Sequence, residues 1–77
     1  MVYVYVLKCG DKSRYVGQTT CLESELVKHY NGELDDTRGK SPFTLGAYTA
    51  FPHSGPAHAF LRFLKTRAGS IVLKRFY

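Results

Sequence analysis

Residues 14–29, RYVGQTTCLESELVKH, carry the most motif-like pattern in the chain: Tyr15 and Gly17, then Glu23, Glu25 and His29. A helical carboxylate such as Glu25 can recruit a divalent cation, but hard cations take several oxygen ligands. Beyond Asp36 the chain has no Asp or Glu to supply them. His53 and His58 lack partners at a ligand spacing, and Cys9 and Cys21 form no C-x-x-C, so no zinc site is expected. His29 has two readings, an acid or base and a partly buried structural residue on an amphipathic helix. Tyr3 and Tyr5 are good strand formers whose default is packing.

The charge is unevenly distributed. Residues 1–36 carry four basic and six acidic side chains, a net of −2. Residues 37–77 carry Arg38, Lys40, Arg62, Lys65, Arg67, Lys74 and Arg75 with no acid, a net of +7. A one-signed half of this kind suits a polyanion partner, although it also serves as a solubilising surface. Contacts from Arg38, Lys40, Arg62 and Lys65 to phosphates would give salt-sensitive, sequence-independent affinity. Acids at Glu23, Glu25, Glu33, Asp35 and Asp36 form a second patch suited to a charged protein surface.

Seventy-seven residues make one domain at most, 1–77, with a small core. No apolar run approaches the roughly 20 residues that cross a bilayer, so no membrane association is expected. Met1–Leu7 lacks the charged start and cleavage site of a signal peptide. Two cysteines are too few for a disulfide scaffold, so a reduced, cytoplasmic protein is expected.

Met1–Cys9 is apolar on both faces, Tyr3, Tyr5 and Leu7 on one and Val2, Val4 and Val6 on the other, which predicts a central strand. Gly10–Ser13 turns the chain into a second strand over Arg14–Gln18. Thr20 and Glu23 fit a capping box opening a helix over Leu22–Tyr30, with Leu22, Leu26 and Tyr30 on its apolar stripe and Asn31-Gly32 as its stop. A polar, solvent-exposed loop over Glu33–Ser41 leads to a third strand, Phe43–Phe51. Ser54 caps a second helix with Pro56 in its first turn, Ala57, Phe60, Leu61 and Leu64 as its stripe and Gly69 as its stop. Ser70–Tyr77 reads as a short strand or a helical tail. The order β-β-α-β-α predicts an α+β fold, with helices packed on a small three-stranded antiparallel sheet.

YVYVLKC, RYVGQT, L-x-x-x-L-x-x-H, TRGKSP and A-x-x-F-L-x-F-L-K-T together resemble small stand-alone GIY-YIG endonuclease domains over nearly the whole chain. Tyr3-Val4-Tyr5 falls on the GIY element and Tyr15-Val16-Gly17 on the YIG element. The resemblance implies metal-dependent phosphodiester hydrolysis. In that family the first-motif tyrosine activates the water and the second-motif tyrosine helps hold the site. An arginine on the first helix neutralises the phosphate, a His or Tyr one turn later assists, and a glutamate on the later helix holds a divalent cation. Carried over by position, Tyr5 and Tyr15 are the two tyrosines, Gly17 the motif glycine and His29 the helix His/Tyr. The arginine position holds Glu25, and the glutamate position holds Leu61. The family's late asparagine has no counterpart placed here.

Losing one transition-state charge contact commonly costs on the order of 10²- to 10³-fold in rate. The expectation is therefore a catalytically degenerate domain that binds nucleic acid, DNA more than RNA, through Arg14, Lys28, Arg38, Lys40, Arg62 and Lys65, with no cofactor. Two alternatives stay open. One is a pseudo-nuclease that binds a protein partner as inhibitor or adaptor. The other is an active endonuclease, using Mg2+ or Mn2+, in which Arg14 or Lys28 substitutes for the missing cation.

Overall fold

The computed structural model describes residues 1–76. Its elements are β1 (Val2–Lys8), β2 (Arg14–Thr19), α1 (Leu22–Tyr30), β3 (Thr44–Phe51), α2 (Ser54–Leu64) and α3 (Arg67–Phe76). The strands form one antiparallel sheet in the order β2-β1-β3, so β1 is central as its two apolar faces require. Val4, Tyr5, Val6 and Leu7 are all buried.

The alternation along β1 divides the core in two. Val4, Val6 and Val16 pack with Ala57 and Leu64 of α2 and Leu73 of α3, and Val2, Phe51, Phe60 and Leu61 border this cluster. On the opposite face Tyr5, Leu7, Cys9 and Phe43 pack with Tyr15, Leu22, Leu26 and Leu45. One face of the sheet thus carries α2 and α3, and the other carries α1. In the β1–β3 ladder Val6 faces Ala47 and Leu7 faces Leu45, so Gly46 is the extra residue of a bulge.

The tail is a helix, and the order becomes β-β-α-β-α-α; Tyr77 lies outside the described residues. Gly69 stops nothing. It is buried inside α3, where a β-carbon would overlap the Phe63 carbonyl oxygen and approach Leu64 Cα, so glycine is what lets α3 fold back on the end of α2. The break falls after Leu64, where Lys65 N–H bonds to the Leu61 and Arg62 carbonyls and Thr66 Oγ1 bonds to Phe63 O.

Both predicted N-caps are displaced. α1 begins after Cys21, whose side chain makes no cap, and Thr19 Oγ1 accepts the Cys21 N–H at 3.1 Å. α2 begins with Ser54 already helical and His53 at the cap position. The stop at Asn31-Gly32 stands as predicted: Gly32 has φ +72°, its N–H reaches His29 O, and Glu33 N–H reaches Lys28 O. The stripe of α1 differs at its end. His29 is fully buried and Tyr30 is 55% exposed, because i, i+4, i+7 spacing from Leu22 and Leu26 brings 29 inward.

The 33–41 loop is not wholly solvated, since Thr37 is 1% exposed. The loop is held against the β1–β2 turn by Gly10 N–H to Lys40 O at 2.6 Å, and a β-carbon on Gly10 would collide with the Ser41 carbonyl.

Candidate functional site

Three elements and the 33–41 loop bring Tyr5, Tyr15, Gly17, Glu25, His29 and Thr37 together. Tyr5 comes from β1 and is fully buried. Its strand partner across the β1–β2 ladder is Gly17, where a β-carbon would lie 2.5 Å from the Tyr5 hydroxyl and 2.9 Å from the Tyr15 ring. Only a glycine leaves room for the phenol. Tyr15, on β2, sits 6.2 Å from the Tyr5 ring and 5.2 Å from the His29 ring, centroid to centroid. Phe43 closes the cluster behind His29 at 6.1 Å.

A chain of hydrogen bonds runs through the centre. The Tyr5 hydroxyl lies 3.2 Å from Glu25 Oε2 and 2.7 Å from His29 Nε2, and His29 Nδ1 lies 2.6 Å from Thr37 Oγ1. A carboxylate can only accept, so the assignment that uses every proton once runs in one direction. Thr37 donates to His29 Nδ1, His29 Nε2–H donates to Tyr5, and Tyr5 donates to Glu25. No buried side-chain polar atom among the described residues is left without a partner.

The electrostatics follow from burial and two carboxylates. Burial first, then the Glu25 charge, the neighbouring Tyr15 and the Glu25 hydrogen bond, push the Tyr5 phenol far above its ordinary value of 10.0. Tyr15 is raised by burial, by the charges of Asp36 and Glu25 and by its hydrogen bond to Asp36. Burial lowers His29 below 6.5 and outweighs the opposite pull of Glu25 and Asp36. At neutral pH this is a neutral imidazole between two protonated phenols, bordered by carboxylates.

Leu61 lies elsewhere, on α2 against the valine cluster that packs on the other sheet face. A divalent cation does not fit the donors that are present. Leu61 offers no oxygen, and among the described residues no three His, Cys, Asp or Glu side chains converge. Glu25 and Asp36 each take up a tyrosine hydroxyl instead.

The sequence profile described as the GIY-YIG catalytic domain matches residues 1–70. The chain belongs to the GIY-YIG family. Among its relatives, the UPF0213 protein BH0048 of Halalkalibacterium halodurans is 47% identical over 51 residues, 65% of this chain and 54% of its own. A UPF0213 protein of Clostridium perfringens is 38% identical over 66 residues, 84% of this chain and 71% of its own. In the first of these the matched segment thus spans about half of the relative's length. The solution NMR structure of BH0048, from Bacillus halodurans, is 35% identical with a TM-score of 0.58, covering 99% of this chain and 87% of that one. Tyr5 and Tyr15, the tyrosines of the two motif-like stretches, lie on the paired strands β1 and β2.

Thr37 had no role in the sequence reading and Asp36 only one in the acidic patch, because a polar run between elements carries no periodicity to mark a buried hydroxyl or the carboxylate beside it. The cations expected to meet nucleic acid do not form one group. Arg14 and Lys65 line a common groove. Arg38 is held by its own loop, with Nε bonded to Gly32 O at 3.0 Å and the guanidinium paired to Asp35 at 2.9 Å. Lys28 is exposed on α1, Arg62 is exposed on α2, and Lys40 is half-buried in the loop. No helix among the described residues is long and apolar enough to cross a membrane.

Proposed function

We propose that this GIY-YIG domain binds nucleic acid and does not cut it. One observation carries the reading: the hydroxyl of Tyr5, the position that matches the family's water-activating tyrosine, is bonded to the carboxylate of Glu25, the residue at the family's arginine position. A phosphate brought to Tyr5 meets a negative charge where hydrolysis needs a positive one, and burial together with the same charge keeps the phenol protonated, so little phenolate is present to take a proton from water. Leu61 removes the oxygen that a metal would need. The half of the chain beyond Asp36, positively charged throughout, supports the binding half of the reading.

The test has two arms. Supercoiled plasmid, branched DNA and single strands incubated in Mg2+ or Mn2+ should stay intact; cleavage that disappears in Tyr5→Phe would establish an active enzyme. Labelled duplex DNA should bind with an affinity that falls steeply as salt rises, and a flat salt dependence would remove the nucleic-acid reading.

A second reading, a protein-binding pseudo-nuclease, draws on the outer surface of α1. Val27 and Tyr30 are half exposed there, beside the acids Glu23 and Glu33. A stable complex with a basic protein and no DNA binding would favour it.

A further inference from the structure

Three adjoining grooves meet at Arg14. The first, of about 490 Å3, lies between β2 and the α2–α3 junction and is lined by Tyr15, Asp36, Arg14, Lys65 and Ser70 over a floor of Val16, Leu64 and Leu73. The second continues over Ser70 and Leu73 to Lys12 and Lys74. The third passes around the β1–β2 turn to Lys8. Their lining includes five cations, Lys8, Lys12, Arg14, Lys65 and Lys74, and one carboxylate, Asp36, at the end next to Tyr15.

We infer that this trough, between the β1–β2 turn and α3, is the track for a phosphodiester backbone, and that nucleic acid bound there runs away from the tyrosine centre. The inference rests on the nucleic-acid reading above and assigns it a surface. A sugar-phosphate chain has apolar sugar faces and one negative charge per nucleotide, and the trough offers an apolar floor between cationic walls. The tyrosine centre offers the reverse, with Glu25 and Asp36 bordering the two phenols. A polyanion is therefore attracted along Lys12, Arg14, Lys65 and Lys74 and repelled at the Asp36 end, which separates binding from the old centre. Lys12 and Lys74 were not among the cations expected from sequence. Lys12 in the turn and Lys74 in the helix are 62 residues apart in the chain and meet only when α3 folds back after Leu64, with Gly69 packed on the end of α2.

Binding of a fluorescein-labelled 20-base-pair duplex, followed by anisotropy from 50 to 200 mM salt, tests this. Lys65→Ala and Lys74→Ala should each lower the slope of log K against log salt by about 0.9 and weaken binding on the order of tenfold at 50 mM salt. Lys65→Arg and Lys74→Arg should keep both near the unsubstituted values, and so should Arg67→Ala, which removes the same charge from an exposed position outside the three grooves. Unchanged binding in the two groove variants overturns the track. Absence of binding by the unsubstituted chain overturns the nucleic-acid reading itself, so the two failures are distinguishable.

Discussion

At the residue scale the centre is a closed set of proton donors and acceptors, and its properties follow from how little space and water it has. Gly17 is the tightest point. Gly17→Ala places a methyl against the Tyr5 hydroxyl, so the phenol must leave Glu25 or the strands must part. The expected cost is about 1–3 kcal/mol, measured as a lower denaturant midpoint. His29 gives the centre a pH dependence whose sign is determined by burial. Its folded pKa lies below 6.5, so the unfolded chain takes up the proton first. The contribution is fully present above about pH 6.5 and is lost as pH falls below it, which makes thermal stability rise with pH up to about 6.5. His29→Gln should flatten that rise, and an unchanged slope would show that another group causes it. Tyr5 has the opposite sign. Its raised pKa means that its contribution holds below about pH 10 and is lost as pH rises beyond it, so part of the tyrosine absorbance change near 295 nm should lag until the fold opens.

At the element scale the two helices on the valine face meet so closely that α3 needs a glycine at 69, where it packs on the end of α2. Gly69→Ala should cost more than an ordinary helical Gly→Ala gains, about 2 kcal/mol or more, because the obstacle is the Phe63 carbonyl and the Leu64 backbone, which cannot rotate away. Gly55→Ala is the control. No atom lies within 4 Å of its added methyl, and α2 should gain about 0.4–1 kcal/mol in thermal or denaturant unfolding. Leu61→Glu puts a glutamate where the resemblance expects the family's metal ligand but places a carboxylate beside the valine cluster. It should cost about 1–3 kcal/mol of stability and, on the non-cutting reading proposed above, give no plasmid cleavage while Glu25 still faces Tyr5.

At the scale of the whole molecule, two regions of opposite electrostatic character adjoin at Tyr15 and Asp36. The face of α1 and the 33–41 loop brings Glu25 and Asp36 to the tyrosines, while the β1–β2 turn, Lys65 and α3 line a cationic trough. That arrangement accounts for how a chain of net charge +5 can have an acidic helix in its most motif-like stretch. Acid borders the tyrosine centre, and base lies along the trough proposed above as the track for a nucleic-acid backbone.

The strands, the first helix and its glycine stop were legible in the sequence because each follows from local rules: alternation along β1, helical spacing through α1 and the positive φ that Gly32 tolerates. The pairing of the two tyrosine motifs was legible for the same reason, since a hairpin brings them onto adjacent strands. The caps, the buried Thr37, the inward turn of His29 and the fold-back of α3 were not. Each depends on which surface lies opposite, and a polar or short side chain shows in the sequence only that it can be satisfied, not where. Tertiary contact alone decided that Glu25 accepts the Tyr5 hydrogen bond, because a bond across 20 residues needs both elements in place first.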